Sequence, residues 1–285
     1  MGVRLTSWNL LHGMAIPPQE SSDASSSSEA LTRAIHSLDS DLLAFQEVDH
    51  FLPRSNSRPQ MRDIAESIGA TDWAMAPSVI GTPGESWRKL NDTEPEIITK
   101  SSTHSELMHE SYGIGIVSKI PVVSWHRLNL GNSPLGLPLI VPGDETGKGR
   151  PRFLYVKDEP RLALAAVLEN GFTVVNTHLS FVPGFNLDQL RRVKKWAMQI
   201  AESTGTRAII LGDLNLPKNL PIAGAKIFGS PWKSLVTQNT YPSWGGKIQF
   251  DYILSPDLAF GEYSVRNFAP TGVSDHLPIG IEIFQ

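Results

Sequence analysis

The sequence predicts a mixed α/β protein. Eight apolar or alternating runs have strand length, three stretches carry helical periodicity, and the two kinds are interspersed along the chain. Interspersion argues against an all-β architecture, and the excess of strands argues against a helical bundle.

The expected strands are Val3–Trp8, Leu42–Gln46, Gly113–Ser118, Leu162–Leu168, Phe172–Thr177, Ala208–Leu211, Phe250–Leu254 and Gly280–Phe284. The first expected helix is Ser28–Leu38, where Ser26 and Glu29 have capping-box spacing. The second is Gln60–Ile68. The third is Leu187–Ser203, stopped by Gly205. Ser21–Ser28 is low in complexity and reads as a loop before the first helix. Pro77–Glu110 and Leu128–Pro160 are rich in Gly, Pro, Ser and charge and read as long surface insertions on one domain spanning 1–285. Within the second, GDETGKGR superficially resembles a P-loop. Its spacing is one residue short, and no Ser or Thr follows the lysine, so that reading is rejected.

Composition sets further bounds. With 40% apolar and 19% charged residues, the 285-residue chain can bury a sizeable core. It has no cysteine, which excludes disulfides and thiolate metal sites. The formal net charge of −4 weighs against a general polyanion binder. No apolar run reaches transmembrane length, and the N-terminus lacks a signal-peptide pattern, so a cytoplasmic location is expected. Gly2 and Thr6 match a myristoylation pattern, but a strand starting at Val3 leaves no free arm to acylate. Nothing indicates an oligomer.

Polar residues recur at the strand ends. Asn9 ends the first strand, and Glu47 followed by Asp49 ends the second. Asn176 and His178 close the fifth, and Asp213 and Asn215 close IILGDLNLP. Asp251 enters FDYIL, and Ser274, Asp275 and His276 precede the last strand. A single Asn or Asp there would be a turn former. Six separate segments point instead to a site, because α/β folds gather sites at strand ends. Carboxylates, amides and two histidines without thiolates suit Mg²⁺ or Mn²⁺ better than zinc. Such an ion keeps waters and accepts a phosphate oxygen, while amides and histidines bond the other oxygens.

These residues carry a resemblance. TSWNLLHG, FQEVD, YGIGIVSKIPV, NTHLS, LGDLNLP, FDYIL and SDHLPI stand in the order found in the endonuclease/exonuclease/phosphatase superfamily. That superfamily includes DNase I-like nucleases, abasic-site endonucleases, inositol polyphosphate 5-phosphatases and sphingomyelinases. The match runs from about residue 4 to 284. The resemblance implies a four-layered α/β sandwich, two packed mixed β-sheets flanked by helices, with the site at one end. It implies Glu47 as the main Mg²⁺ ligand, Asn9 beside it, and Asp275 at the metal or next to it. It also implies Asp213 to orient or deprotonate the attacking water, Asn215 on the scissile phosphate, and Asp251 to hold the tautomer of His276. His276 would contact phosphate or nucleophile, with His178 on the phosphate or leaving-group side. Asn176 is expected among the substrate contacts. Leu11 departs from the abasic-site endonucleases, which carry an acid or amide two positions after the first asparagine.

Other residues stay open between two readings. Arg54, in FLPRSNSRPQ, resembles an Arg-Ser position of bacterial metal-dependent hydrolases. It is either a phosphate clamp or a surface arginine. Arg161 is either a phosphate contact or half of a structural ion pair. His12, His104 and His109 read as structural, and Trp87 and Trp244 as loop residues beside a groove or in the core. The functional expectation is a Mg²⁺-dependent hydrolase of a phosphodiester or phosphomonoester, with Mn²⁺ as a substitute. Its partner is a phosphate-ester substrate, small or lipid-derived in preference to DNA. A nuclease is the first alternative and an inactive binding module the second.

Overall fold

In the computed structural model, residues 2–16, 24–103, 109–141, 152–223 and 230–284 are described. GDETGKGR, His104 and residues 21–23 lie outside them, and the rest of Ser21–Ser28, expected as loop, belongs to the first helix, which starts at Ala24.

The strands in chain order are β1 Val3–Asn9, β2 Leu42–His50, β3 Asp72–Gly81, β4 Trp87–Arg88, β5 Ile98–Thr99, β6 Ser111–Ser118, β7 Val122–Gly131, β8 Leu137–Val141, β9 Arg152–Val156, β10 Arg161–Leu168, β11 Phe172–His178, β12 Arg207–Asp213, β13 Lys233–Ser234, β14 Asp251–Ser255, β15 Tyr263–Arg266 and β16 Ile279–Ile283. The helices are α1 Ala24–Ser37, α2 Gln60–Ile68, α3 Phe185–Thr204 and the single turn α4 Leu220–Ala223. One sheet has the order β15-β16-β1-β2-β6-β3-β4, with β5 also on β3. The other has the order β13-β14-β12-β11-β10-β7. Both are mixed: β1 runs parallel to β2 and β11 parallel to β12, and the other pairs are antiparallel.

Strand alternation builds four layers. Leu5, Leu42, Ala44, Ile114 and Ile281 of the first sheet meet Leu162, Leu164, Val174, Ile209 and Leu211 of the second. The residues between them point outward. Phe45 and Leu43 join Ile35 of α1, Leu38 just after it, and Met61 and Ile64 of α2. Ala165, Val175 and Ile210 join Leu190, Val193, Ala197 and Ile200 of α3. A strand buried on both faces needs apolar residues at every position, which is why ALAAV and AIIL read as continuous runs. Each large aliphatic side chain buried this way contributes about 1.5–3 kcal/mol. Helix α3 stops where Gly205 adopts φ 66, a left-handed cap that glycine takes without steric cost.

The long insertions are more ordered than the sequence suggests. β3 carries Pro77 in its interior, at a register shift between Pro77 and Val79 where the ladder is already interrupted. β7 begins the second insertion and pairs along β10, and β8 and β9 form a hairpin beyond it. No helix among the described residues is long and apolar enough to cross a membrane.

Candidate active site

Strand register assembles half of the site. β11 and β12 pair His178 with Asp213, and β12 and β14 pair Asp213 with Asp251. Three chemically active side chains thus stand in one row across the end of the second sheet. The Asp213 Oδ2 lies 3.6 Å from His178 Nε2 and 3.9 Å from His276 Nε2.

His276 comes from the segment before β16, which is tied to β1. Trp8 Nε1 donates to the His276 carbonyl at 2.9 Å, and the Ser274 hydroxyl donates to the Asn9 carbonyl at 2.6 Å. The His276 Nδ1 sits 2.8 Å from Asp251 Oδ2 in a buried pair, with the Tyr241 ring packed against the imidazole at 5.2 Å. Burial opposes charge on His276, but Asp251, Asp213 and Asp275 outweigh it and push its pKa up to about 10. His276 is therefore an imidazolium at neutral pH. Asp213 is raised to about 6, by burial first and then by Asp251. That places it near the range suited to a general base.

The first sheet supplies the other half. Asn9 ends β1 and donates from Nδ2 to Glu47 Oε1 at 3.0 Å and to Asp213 Oδ2 at 3.1 Å, bridging the two halves. Glu47 has φ 55 inside β2, at a register shift between Phe45 and Val48. A bulge of this kind re-aims a side chain, and Glu47 leaves the alternation to face the site. Burial, then Asp275 and Glu159, outweighs the Asn9 hydrogen bond and lifts the Glu47 carboxyl to about 7. Asp275 is raised as well, mainly by burial. Asn215, with φ 49, and Ser274, with φ 63, repeat the left-handed backbone at the site. Non-glycine residues held there mark strain that the surrounding structure maintains.

Asn215 is fixed by its own backbone N–H on Asp213 Oδ1 at 2.9 Å and by its Nδ2 on the Leu179 carbonyl at 2.9 Å. The same Nδ2 donates to His178 Nε2 at 3.2 Å, so that nitrogen is the acceptor. Burial, Arg161 and His276 hold His178 well below the usual histidine range, hence neutral.

Asn176 is corrected by the structure. It shares a strand face with His178 but lies one step deeper, fully buried between the sheets. Its Oδ1 accepts from Gln46 Nε2 at 2.7 Å, and its Nδ2 donates to the Phe45 and Gly115 carbonyls at 2.8 Å each. It is a cross-sheet tie with no polar surface left for substrate.

Arg54 is gripped by Asp49 through two 2.8 Å hydrogen bonds and lies over the Tyr112 ring at 5.5 Å. It therefore belongs to a structural ion pair close enough to Glu47 to feel its charge. Arg161 is buried between Asp158 at 3.3 Å and Glu159 at 2.9 Å. It stands at the start of β10, next to the His178 end of β11. Tyr112 and Glu159 were not singled out in the sequence, yet Glu159 helps raise the Glu47 carboxyl and Glu47 in turn helps raise the Tyr112 phenol. Tyr112 reads as the first residue of a buried strand and Glu159 as one acid of an acidic loop, so no sequence signal marks them. Trp87 packs beside Leu52, Val79 and Tyr112, whereas Trp244 is exposed.

Two donor sets offer themselves to a cation. Asp213, Asp251 and His276 present ligand atoms within 4.8 Å of one another. The His276 Nδ1 is already spent on Asp251, and the histidine is cationic. Asp275 adds to the cost of ionising Glu47, and the Glu47 Oε2 is unpartnered among the described residues. Hard oxygen donors of this kind fit Mg²⁺ or Mn²⁺.

The profile of the endonuclease/exonuclease/phosphatase family matches residues 6–276. The chain belongs to the endonuclease/exonuclease/phosphatase family. Its class is that of hydrolases acting on phosphoester bonds. No curated protein sequence matches the chain. Among solved structures it is similar to the human Nocturnin catalytic domain with bound sulfate, at TM-score 0.60 and 14% identity, covering 99% of this chain and 93% of that one. It is similar to a mannosyl-6-phosphatase of Bacteroides thetaiotaomicron, at TM-score 0.54 and 14% identity, covering 99% and 100%. It is also similar to a truncated Caenorhabditis elegans TDP2, at TM-score 0.56 and 15% identity, covering 100% and 98%. At these identities the likeness is one of fold, the two-sheet DNase I-like sandwich of the family.

Proposed function

We propose that this chain is a Mg²⁺-dependent phosphoesterase that hydrolyses a phosphodiester or phosphomonoester by in-line attack of water. One observation carries the reading. At one end of the sandwich Asn9 links Glu47, which feels the charge of Asp275, to Asp213, and the His276 imidazolium lies 3.9 Å from that same Asp213. Such an arrangement suits a phosphate group, which needs cations on its oxygens and a base behind its phosphorus.

Glu47 would hold the ion, with Asp275 as a further carboxylate and Asn9 orienting the Glu47 oxygen. The ion would supply charge neutralisation on the phosphate. Asp213, poised near 6, orients the attacking water and takes its proton. The Asp251-held imidazolium of His276 donates to a phosphate oxygen. Asn215 would reach the phosphate by turning one Nδ2 proton away from neutral His178, which holds that amide at 3.2 Å until substrate arrives.

A small or lipid-derived substrate is favoured over a nucleic acid on electrostatic grounds. The two arginines nearest the site are each neutralised, Arg54 by Asp49 and Arg161 by Asp158 and Glu159. A protein that tracks DNA must leave several cations for its phosphates. The intact set of Glu47, Asp213, Asn215, Asp251 and His276 weighs against an inactive binding module.

The test is a substrate panel with Mg²⁺ and Mn²⁺. It covers abasic, single- and double-stranded DNA, RNA, phosphoinositides, sphingomyelin and small phosphoesters. Metal-dependent turnover of a small or lipid ester is the expected result. No turnover of any ester with either ion would refute the reading.

A further inference from the structure

The catalytic row continues past His178 and Glu47. On the second sheet the next strands over are β10, which opens with Arg161, and β7, where Gly131 pairs with Arg161. On the first sheet they are β6, where Tyr112 pairs with Asp49 of β2, and β3, where the Ser78 hydroxyl donates to the Tyr112 carbonyl at 3.0 Å. Between these outer strands lies a pocket of about 510 Å³ with Ser78 and Arg161 in its wall. Its volume lies in the range of small-molecule sites. Arg161 thus joins the pocket to the residues around the reacting phosphate.

The pocket's chemistry is specific. Its lining includes Lys89, Asn91, Asp92, Arg127, Asn129 and Asn132, and no aromatic side chain. Arg161 is already paired with Asp158 and Glu159, and Glu94 with Arg88, so in the lining Lys89 and Arg127 stand against Asp92 and Glu96 and the charges balance. Internal hydrogen bonds consume part of each amide. The Asn91 Oδ1 holds the Thr93 turn, and the Asn129 Oδ1 accepts from Arg127 Nε at 3.0 Å. The Asn132 Nδ2 is spent on the Ser133 and Asp158 carbonyls. Among the described residues this leaves the Nδ2 of Asn91 and Asn129, the Arg127 Nη2 and the Lys89 ammonium as donors, and the Asn132 Oδ1, Asp92 and Glu96 as acceptors.

We propose that this pocket is a substrate subsite for a neutral, polyhydroxylated group, a sugar or polyol esterified to the phosphate that reacts at Asp213. The inference rests on the phosphoesterase reading and names its substrate class. A hydroxyl both donates and accepts, so it matches interleaved donors and acceptors. A second phosphate accepts only and would meet Asp92 and Asn132 unfavourably. A nucleobase would want an aromatic face to stack on, and the lining has none. The wall is held in shape by the Arg88–Glu94 ion pair, with Glu94 also accepting from the Asn91 N–H at 2.9 Å. Loop residues 89–94 are therefore set before substrate arrives.

The experiment compares esters matched in leaving group, with Mg²⁺ or Mn²⁺ present. Glucose 6-phosphate is set against ethyl phosphate, and the methyl diester of glucose 6-phosphate against ethyl methyl phosphate, with duplex DNA as a further arm. The wild type should prefer the sugar- or polyol-bearing member of a pair by at least about tenfold in kcat/KM. Lys89→Ala and Asn129→Ala should each cut that preference by about tenfold, the size of one lost polar contact. Both positions are exposed, so both variants should fold, as circular dichroism will show. A wild type without the preference, or a preference intact in both folded variants, overturns the subsite. Cutting of DNA alone overturns the subsite and leaves the phosphoesterase reading standing. Turnover of none of these esters and none of the wider panel sinks both.

Discussion

The two halves of the candidate site are built differently. The second-sheet half is a register product: His178, Asp213 and Asp251 are cross-strand neighbours on regular strands, and the two carboxylates are partly balanced by the His276 imidazolium. The first-sheet half is an exception to register. Glu47 reaches the site through a bulge with φ 55, Asp275 follows Ser274 at φ 63, and their charges are left in excess. A regular sheet can line up a base with its partners at little conformational cost. Gathering like charges takes a strained backbone, and that gathering serves only if something positive arrives. The difference assigns proton and phosphate work to one half and cation binding to the other.

The largest effect should come from the balanced half. Asp213→Asn and His276→Ala should each slow the chemical step by about a hundredfold or more, as for a positioned base and a phosphate donor. Single-turnover kinetics at saturating metal reads this directly. Asp251→Asn should do less than His276→Ala, and the double variant should be far from additive, since Asp251 works through that histidine. Independent, multiplying losses would break the pairing.

A smaller effect, on stability rather than rate, is expected at Asn176→Ala. The change strands Gln46 Nε2 and the Phe45 and Gly115 carbonyls between the sheets, at about 1–3 kcal/mol for each unpaired group. Denaturant unfolding measures it. A folded variant of near wild-type stability with a collapsed kcat would return Asn176 to the substrate contacts.

The pH dependence of the metal-free protein separates the halves more finely. His276 has its pKa raised on folding, to about 10, so its contribution is present below the free imidazole value and lost as pH rises through 10. Glu47 is raised to about 7, so ionising it costs the folded state stability as pH climbs from the ordinary carboxylate range toward 7. In thermal melts with chelator, His276→Gln should flatten the alkaline limb and Glu47→Gln the mildly acidic one. Either variant flattening both limbs would mean the two halves titrate as one unit.

What was legible in the sequence follows the same division. Apolar runs ending in Asp213 and His178 exposed the regular half, because a strand buried on both faces cannot hide a polar terminus. β3 and β7 were illegible: Pro77 interrupts one, and the other alternates in SWHRLN like an exposed segment although it pairs along β10. Asn176 misled because alternation reports which face a residue takes and not how deep it lies. Glu47 was legible as a strand-end acid, but the bulge that aims it was not, since nothing in FQEVD announces a left-handed residue. Tyr112 and Glu159 meet Glu47 only through packing between sheets, which pairs residues far apart in the chain.

The most direct test is calorimetric titration of Mg²⁺ and Mn²⁺ into the wild type, Glu47→Gln and His276→Ala. Glu47→Gln keeps the side-chain shape and removes the charge a hard cation needs. It should weaken binding at least tenfold, whereas His276→Ala, which removes a neighbouring positive charge, should leave binding equal or tighter. Wild-type affinity in a folded Glu47→Gln protein, together with lost binding in His276→Ala, would place the ion among Asp213, Asp251 and His276 and contradict the division of labour.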